Sequence, residues 1–457
     1  MASLRRLLLI GLDSAPPRLI EELKGELPNT SMLVEDGLYG PLRSTDPPIT
    51  IPAWASMLTG RDPGELGLYG FRHRKPGSYT DFYIASSKSV KHPWLWDYVG
   101  EAGGRSLVMG VPPSYPPKPL RGALVSCFIT PSGRPYTYPL ELRGEVEEAA
   151  GGKYIFDIEF RIEDRDKVLH DLYEMTEVHF KVLSHLMEKR WDLVAFVEIG
   201  VDRLHHAFWK YYDKAHPKYE PGNRYEHVIP EYYKYIDSWI GRLLEKAGDA
   251  LVCVVSDHGA MGMKGALCIN QWLAEQGYLK LEEQPPPRTP LAKAKVDWSR
   301  TKAWGWGGYY ARVFLNVEGR EPSGVVPRGS YEEAREELAQ ALEEMEDPDG
   351  RRMATKAYRP EELYREVNGD PPDLIVYLDD LSWRSAGTIG YPTPYLPEND
   401  TGPDDAVHSK HGVFTLYDPE GTLPNGRCRA HILDVLPTLL DAMELEAPRL
   451  AGRSLLR

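Results

Sequence analysis

The sequence predicts an α/β fold: a mostly parallel sheet with helices on both faces, plus a smaller inserted, cap-like region. Two patterns carry this expectation. Short, continuously apolar runs alternate with amphipathic helical stretches, as in parallel sheets whose strands are buried on both faces. Several of those runs end in Asp or His. Open α/β sheets bind their ligands just beyond the carboxyl ends of such strands.

The run Leu7 to Leu12 reads as the first strand and stops at Asp13. Two arginines precede it, as in a signal peptide, but the run is shorter than an h-region. Pro16 to Leu27 reads as a helix opened by prolines. Ser106 to Val111 reads as a further strand, preceded by the helical HPWLWDYVGEAG. A long helix from about Asp164 to Lys189 leads into a strand from Asp192 to Ile199, and another from about Glu226 to Ala247 leads into Leu251 to Val255. Val413 to Tyr417 reads as a returning strand, and Ile432 to Met443 as a closing helix. From Glu282 to Pro290 the composition changes to EEQPPPRTP, a linker or long loop. WGWGGYY, the strand-like ARVFLNV and a charged helix from about Tyr331 to Glu346 follow. The expected division is a catalytic core of residues 1–281 and 405–457, with 282–404 as the insertion. Pro112 to Phe160, rich in Pro and Gly, shows no usable period.

Of the 457 residues, 42% are hydrophobic, enough for a large core. A net charge of -14 disfavours broad attraction to nucleic acid polymers or anionic membranes, so a phosphate-bearing substrate must be met locally. No stretch approaches the roughly 20 apolar residues of a membrane span. Cys127, Cys253, Cys268 and Cys428 form no C-x-x-C pair, which argues against a structural zinc site or a disulfide framework. The expectation is a soluble, cytoplasmic protein with a small-molecule substrate and no membrane or nucleic acid partner.

Three strands deliver metal-type ligands to one edge: Asp13 after the first, Asp202 after VAFVEIGV, and Asp257-His258 after LVCVVS. In VDRLHHAFW, Asp202 and His206 are one helical turn apart and share a face. His205 is out of phase, suited to packing or to supporting a ligand. AVHSKHGVF offers His408 and His411 before the strand at Val413. Asp with His suits Zn²⁺ or Mn²⁺. In DPPITIPAWASMLTG, Thr50 falls at a helix start with Pro52 in the first turn, where backbone N–H groups favour an anion. A hydroxyl there, beside a metal, could lose its proton near neutral pH and attack phosphorus. Arg61, Arg72, His73, Arg74 and Lys75 follow; Arg72 and Arg74 are candidate substrate-phosphate ligands, against a solvated basic loop. Trp304, Trp306, Tyr309 and Tyr310 could stack on a base or sugar, or pack a core. Singly, Asp13 could cap a helix, and SDHG could be an Asx turn. All such bland readings would have to hold together, in this chain order.

Taken together, the pattern resembles the alkaline phosphatase superfamily, and most of all its type I phosphodiesterase/nucleotide pyrophosphatase branch, from Leu7 to Leu455. The resemblance is weakest between Pro112 and Phe160 and through the insertion. It implies an alkaline-phosphatase-like fold and two divalent cations, Zn²⁺ first and Mn²⁺ second. One would be held by Asp13, Thr50, Asp257 and His258, and the other by Asp202, His206 and His408. His408 is preferred to His411 for its spacing to Gly412. Thr50 is implied as the nucleophile of a phospho-threonine intermediate. Sulfatases place a modifiable Cys or Ser in C/S-x-P-x-R, where this chain has Thr50-x-Pro52-x-Trp54. The related mutases use Ser. Nucleotide pyrophosphatases carry a phosphate-contacting Asn where this chain has Ala53, which weakens that specificity. The function implied is a two-metal phosphodiesterase acting on a small phosphate ester. A phosphomonoesterase or phosphonate hydrolase on the same site is the enzymatic alternative. A non-catalytic metal- or phosphate-binding protein is the other, but it would not need an intact Thr50.

Overall fold

The computed structural model describes residues 4–457. The first strand, Leu7–Leu12, lies inside a ten-stranded sheet, parallel to Leu193–Glu198 on one side and to Leu251–Val255 on the other. Ser106–Met109 and Gly122–Val125 continue the parallel run. On the far side His411–Tyr417 and Leu38–Arg43 are each antiparallel to the strand before them. Leu12 lies opposite Glu198 and Gly11 opposite Val255, so the three central strands end at one level. That register makes Asp13, the Asp202 helix and Asp257-His258 leave the sheet at the same edge.

The pleat sends alternate residues to opposite faces. Leu8, Ile10 and Leu12 join a core covered by the helices Arg165–Leu186, Gly200–Tyr212 and Val228–Ala247. Leu7 and Leu9 join one covered by Thr50–Thr59, Leu95–Glu101 and Val435–Ala442. The expected helix from Pro16 to Leu27 is instead Pro17–Glu22, a 3-10 turn at Lys24–Glu26, and a separate helix Pro28–Asp36. Gly25 weakens the helix, and Pro28 cannot continue one but can open one. Leu38–Arg43 escapes the sequence reading because Gly40-Pro41 interrupts its apolar run.

A second, antiparallel sheet comprises Ala303–Trp306, Ala311–Leu315, Leu374–Tyr377 and Lys356–Tyr358. Its core includes Leu267, Ile269, Trp272 and Leu273, all upstream of Glu282, and Tyr79 from the turn between the short strands Arg72–Arg74 and Phe82–Ile84. Packing therefore does not divide where the Pro-rich segment does. Tyr310, Tyr364 and Tyr377 gather with Ile49 and Tyr69, joining this unit to the loop before Thr50. Tyr377 donates to Asp46 Oδ1 at 2.9 Å, and Tyr364 donates to the Asp46 carbonyl. Among the described residues no helix is long and apolar enough to cross a membrane.

Candidate active site

Asp13 leaves the first strand fully buried, with Oδ2 accepting the Trp54 indole N–H at 2.8 Å. Trp54 lies one turn after Thr50 on the helix Thr50–Thr59, so hydroxyl and indole share a face. Gly11 permits this approach, since a Cβ there would sit 2.4 Å from the Trp54 ring. Asp257 Oδ1 accepts the Ser14 N–H at 3.2 Å. His258 donates from Nδ1 to the Gly259 carbonyl at 3.1 Å. That bond aims Nε2 at Asp257 Oδ2 (3.1 Å), Thr50 Oγ1 (3.3 Å) and Asp13 Oδ1 (3.7 Å).

The other half of the cluster stands on the helix Gly200–Tyr212. Asp202 Oδ1 lies 3.2 Å from His206 Nε2 and 3.6 Å from His408 Nε2. Its second oxygen accepts from Arg203 at 2.6 Å, and Asp157 grips the same guanidinium twice. His206 Nδ1 donates to Asp404 Oδ1 at 2.7 Å, and His408 Nδ1 to the Pro48 carbonyl at 2.9 Å. Strand Ala406–Ser409 pairs antiparallel with Gly259–Gly262, and this register stacks the His408 ring on His258 at 3.8 Å. All three histidines commit Nδ1 to an oxygen and turn Nε2 inward, the arrangement that orients imidazole ligands.

Burial, then the Asp202 charge, pushes the Asp13 carboxyl well above the usual carboxylate range; burial and Asp13 do the same to Asp257. Against burial, His206 and Arg203 hold Asp202 well below that range. Burial pushes His258 down to about 4 and His408 well below its ordinary value, so both rings are neutral and offer a lone pair.

These residues fit divalent cations. Asp13 Oδ1, Asp202 Oδ1, Asp257 Oδ2 and His408 Nε2 are buried without a hydrogen-bond partner. Such atoms destabilise a fold unless something compensates them. Two donor sets form, Asp202/His206/His408 and Asp13/Asp202/His258, each with ligand atoms within 4.8 Å of one another. Carboxylate oxygen with imidazole nitrogen suits Zn²⁺ or Mn²⁺. Asp202 falls in both sets, where the resemblance assigned it to one.

His411 is exposed at the start of its strand and stands outside the cluster. His205 meets the Tyr233 hydroxyl at 3.1 Å and the edge of Trp209, a packing position. Arg74 is buried and bound to Glu321 and Asp370, both at 2.8 Å, so its charge is neutralised within the insertion. Arg72 lies over the Phe82 ring at 4.8 Å. Neither arginine hydrogen-bonds a member of the cluster.

Sequence reasoning missed Trp54 as the donor to Asp13, and Arg203, Asp157, Asp404, Arg161 and Arg384 around Asp202 and His206. Arg203 abuts Asp202, a readable signal, whereas Asp404 meets His206 from 198 residues away. Asp157 and Arg161 lie in irregular backbone, where no period points to them. Tyr309, expected to stack on a substrate or pack a core, instead places its hydroxyl 3.1 Å from His206 Nε2.

The profile of the type I phosphodiesterase / nucleotide pyrophosphatase family matches residues 7–412, and the chain belongs to that family. A comparison with individual curated proteins gives no match. Membership makes the protein a hydrolase of the phosphodiesterase/pyrophosphatase type.

Proposed function

We propose that this member of the family is a two-cation phosphodiesterase of small phosphate esters, working through a phospho-threonine intermediate on Thr50. One observation carries the reading: three carboxylates and three inward-facing Nε2 atoms converge beside the Thr50 hydroxyl at one buried edge of the sheet. Asp13, Asp257 and His258 with Thr50 would hold one cation, and His206 and His408 the other, with Asp202 between them. Zn²⁺ or, second, Mn²⁺ bound there supplies positive charge that favours the Thr50 alkoxide and offsets charge on the entering and leaving oxygens.

The chain's own residues do the rest. Thr50 opens its helix, so backbone N–H groups and the helix dipole face an anion placed before it. Its oxygen attacks phosphorus; the Thr50–phosphorus bond forms as the bond to the leaving alcohol breaks, and the alcohol departs protonated. Water then cleaves the Thr50–phosphorus bond, releasing a monoester and restoring the hydroxyl. Burial of the cluster keeps bulk water from competing with Thr50 in the first step. Ala53 offers no side-chain donor, which favours a phosphodiesterase over a nucleotide pyrophosphatase. The net charge of -14 favours a small substrate over a nucleic acid polymer. Four free cysteines support a cytoplasmic setting.

The test assays bis(nitrophenyl) phosphate and nitrophenyl phosphate before and after chelation, then with Zn²⁺ or Mn²⁺ restored. The expected result is about two cations per chain, with diester hydrolysis lost on chelation and regained on reloading. Protein that stays inactive with both cations restored contradicts the reading. Faster turnover of the monoester moves it to a phosphomonoesterase on the same site.

A further inference from the structure

Tyr309 reaches the cluster from the insertion, and no step above uses its hydroxyl. The hydroxyl lies 3.1 Å from His206 Nε2, and the ring stacks on His408 at 3.9 Å. His408 in turn stacks on His258, the partner of Thr50, so three rings form a column from Thr50's neighbour to Tyr309. His206 Nδ1 is committed to Asp404, so Nε2 is the ring atom that faces the Tyr309 hydroxyl. The phenol oxygen accepts an Arg161 N–H at 2.6 Å. Arg384 lies over the ring at 4.3 Å, and both arginines are held by Asp404. The phenol is fixed from several sides and half-buried, with its hydroxyl beside the cluster.

We propose that Tyr309 is a catalytic residue that donates a hydrogen bond to a non-bridging oxygen of the substrate phosphate, on the Asp202/His206/His408 side. This rests on the phosphodiesterase reading, in which His206 Nε2 ligates a cation. One lone pair cannot serve both cation and phenol. Once the cation takes it, Tyr309 keeps its anchor to Arg161 and its proton is free for an oxygen beside that nitrogen. The Arg161 N–H on the phenol oxygen polarises the O–H and strengthens it as a donor. No proton is transferred and no bond is made; the hydroxyl stabilises charge on the phosphate oxygen in the transition state. The nucleophile helix supplies no rival side chain at Ala53, which is fully buried. The insertion would in this way complete a site that the main sheet begins.

Tyr309→Phe keeps the ring stack and removes only the hydroxyl. Three quantities are measured on wild type and variant: bound cations per chain, diester turnover, and calorimetric affinity of the cation-loaded protein for inorganic phosphate. The proposal expects unchanged cation content, kcat lower by roughly tenfold to a hundredfold, and phosphate binding weakened severalfold. A variant with wild-type turnover and phosphate affinity overturns it. So does a variant that loses a cation, because the phenol oxygen is then a ligand. Wild-type protein without cation-dependent hydrolysis overturns the phosphodiesterase reading and this inference together, which separates that failure from the other two.

Discussion

On the Asp257 side of the site the supports are main-chain groups and one indole: the Ser14 N–H, the Gly259 carbonyl and Trp54. On the Asp202 side they are mostly charged side chains: Arg203 backed by Asp157, and Asp404 backed by Arg161 and Arg384. The main-chain supports come with the strand ends themselves, and only the indole is brought in from the helix Thr50–Thr59. The second kind joins Arg203, on the Asp202 helix itself, to side chains from coil and from the insertion, which can vary without disturbing the sheet. Buried charges of that kind hold only as a set, since removing one leaves another uncompensated.

The largest effect is expected where the two halves meet. Asp202 borders both donor sets, so Asp202→Ala should lower diester hydrolysis by about a thousandfold or more and leave fewer bound cations than His408→Ala. Equal cation loss in the two variants, measured by elemental analysis, would confine Asp202 to one set. Next comes Asp404→Asn, which removes the charge that orients His206. Titration of the metal-free protein should show the His206-side cation weakened about 10–100-fold, with the other unchanged. Equal weakening of both would erase the contrast between the halves.

A third effect concerns protons. Burial keeps Asp13 and Asp257 protonated above the pH at which exposed carboxylates have ionised, and the Asp404 charge, against burial, keeps His206 protonated above the usual histidine range. Cation binding must displace those protons. Zn²⁺ titrations in buffers of different ionisation enthalpy should therefore show net proton release, shrinking as pH rises through the raised values. Release that grows with pH contradicts the assignment. The smallest effect is Trp54→Phe, which removes the N–H to Asp13 and should lower the urea-unfolding free energy of the metal-free protein by about 1–3 kcal/mol. It should leave the His206-side cation affinity unchanged.

The same contrast governs what could be read from the sequence. Asp13, Asp202, Asp257 and His258 follow apolar runs, and strand ends are marked by a change of pattern that any such run displays. His408 required the pairing of Ala406–Ser409 with Gly259–Gly262, which spacing hinted at through Gly412 but could not dictate. Asp157, Arg161 and Arg384 could not be placed because their partners lie tens or hundreds of residues away and no period links them. Arg74 misled for a related reason. Its basic neighbours suggested a phosphate contact, whereas Glu321 and Asp370, distant in sequence, neutralise it. The Pro-rich segment at Glu282 marked a change of composition, yet Leu267 to Leu273 already pack with the second sheet.

The central claim is that Thr50, at the main-chain-supported half of the site, forms a bond to phosphorus. Rapid acid quenching of turnover with bis(nitrophenyl) phosphate, followed by peptide mass analysis, tests it directly. The account predicts a nitrophenyl-phosphoryl group on Thr50 in the cation-loaded wild type, absent from the chelated protein and from Thr50→Ala. Full turnover by Thr50→Ala, or the adduct on a different residue, would contradict it.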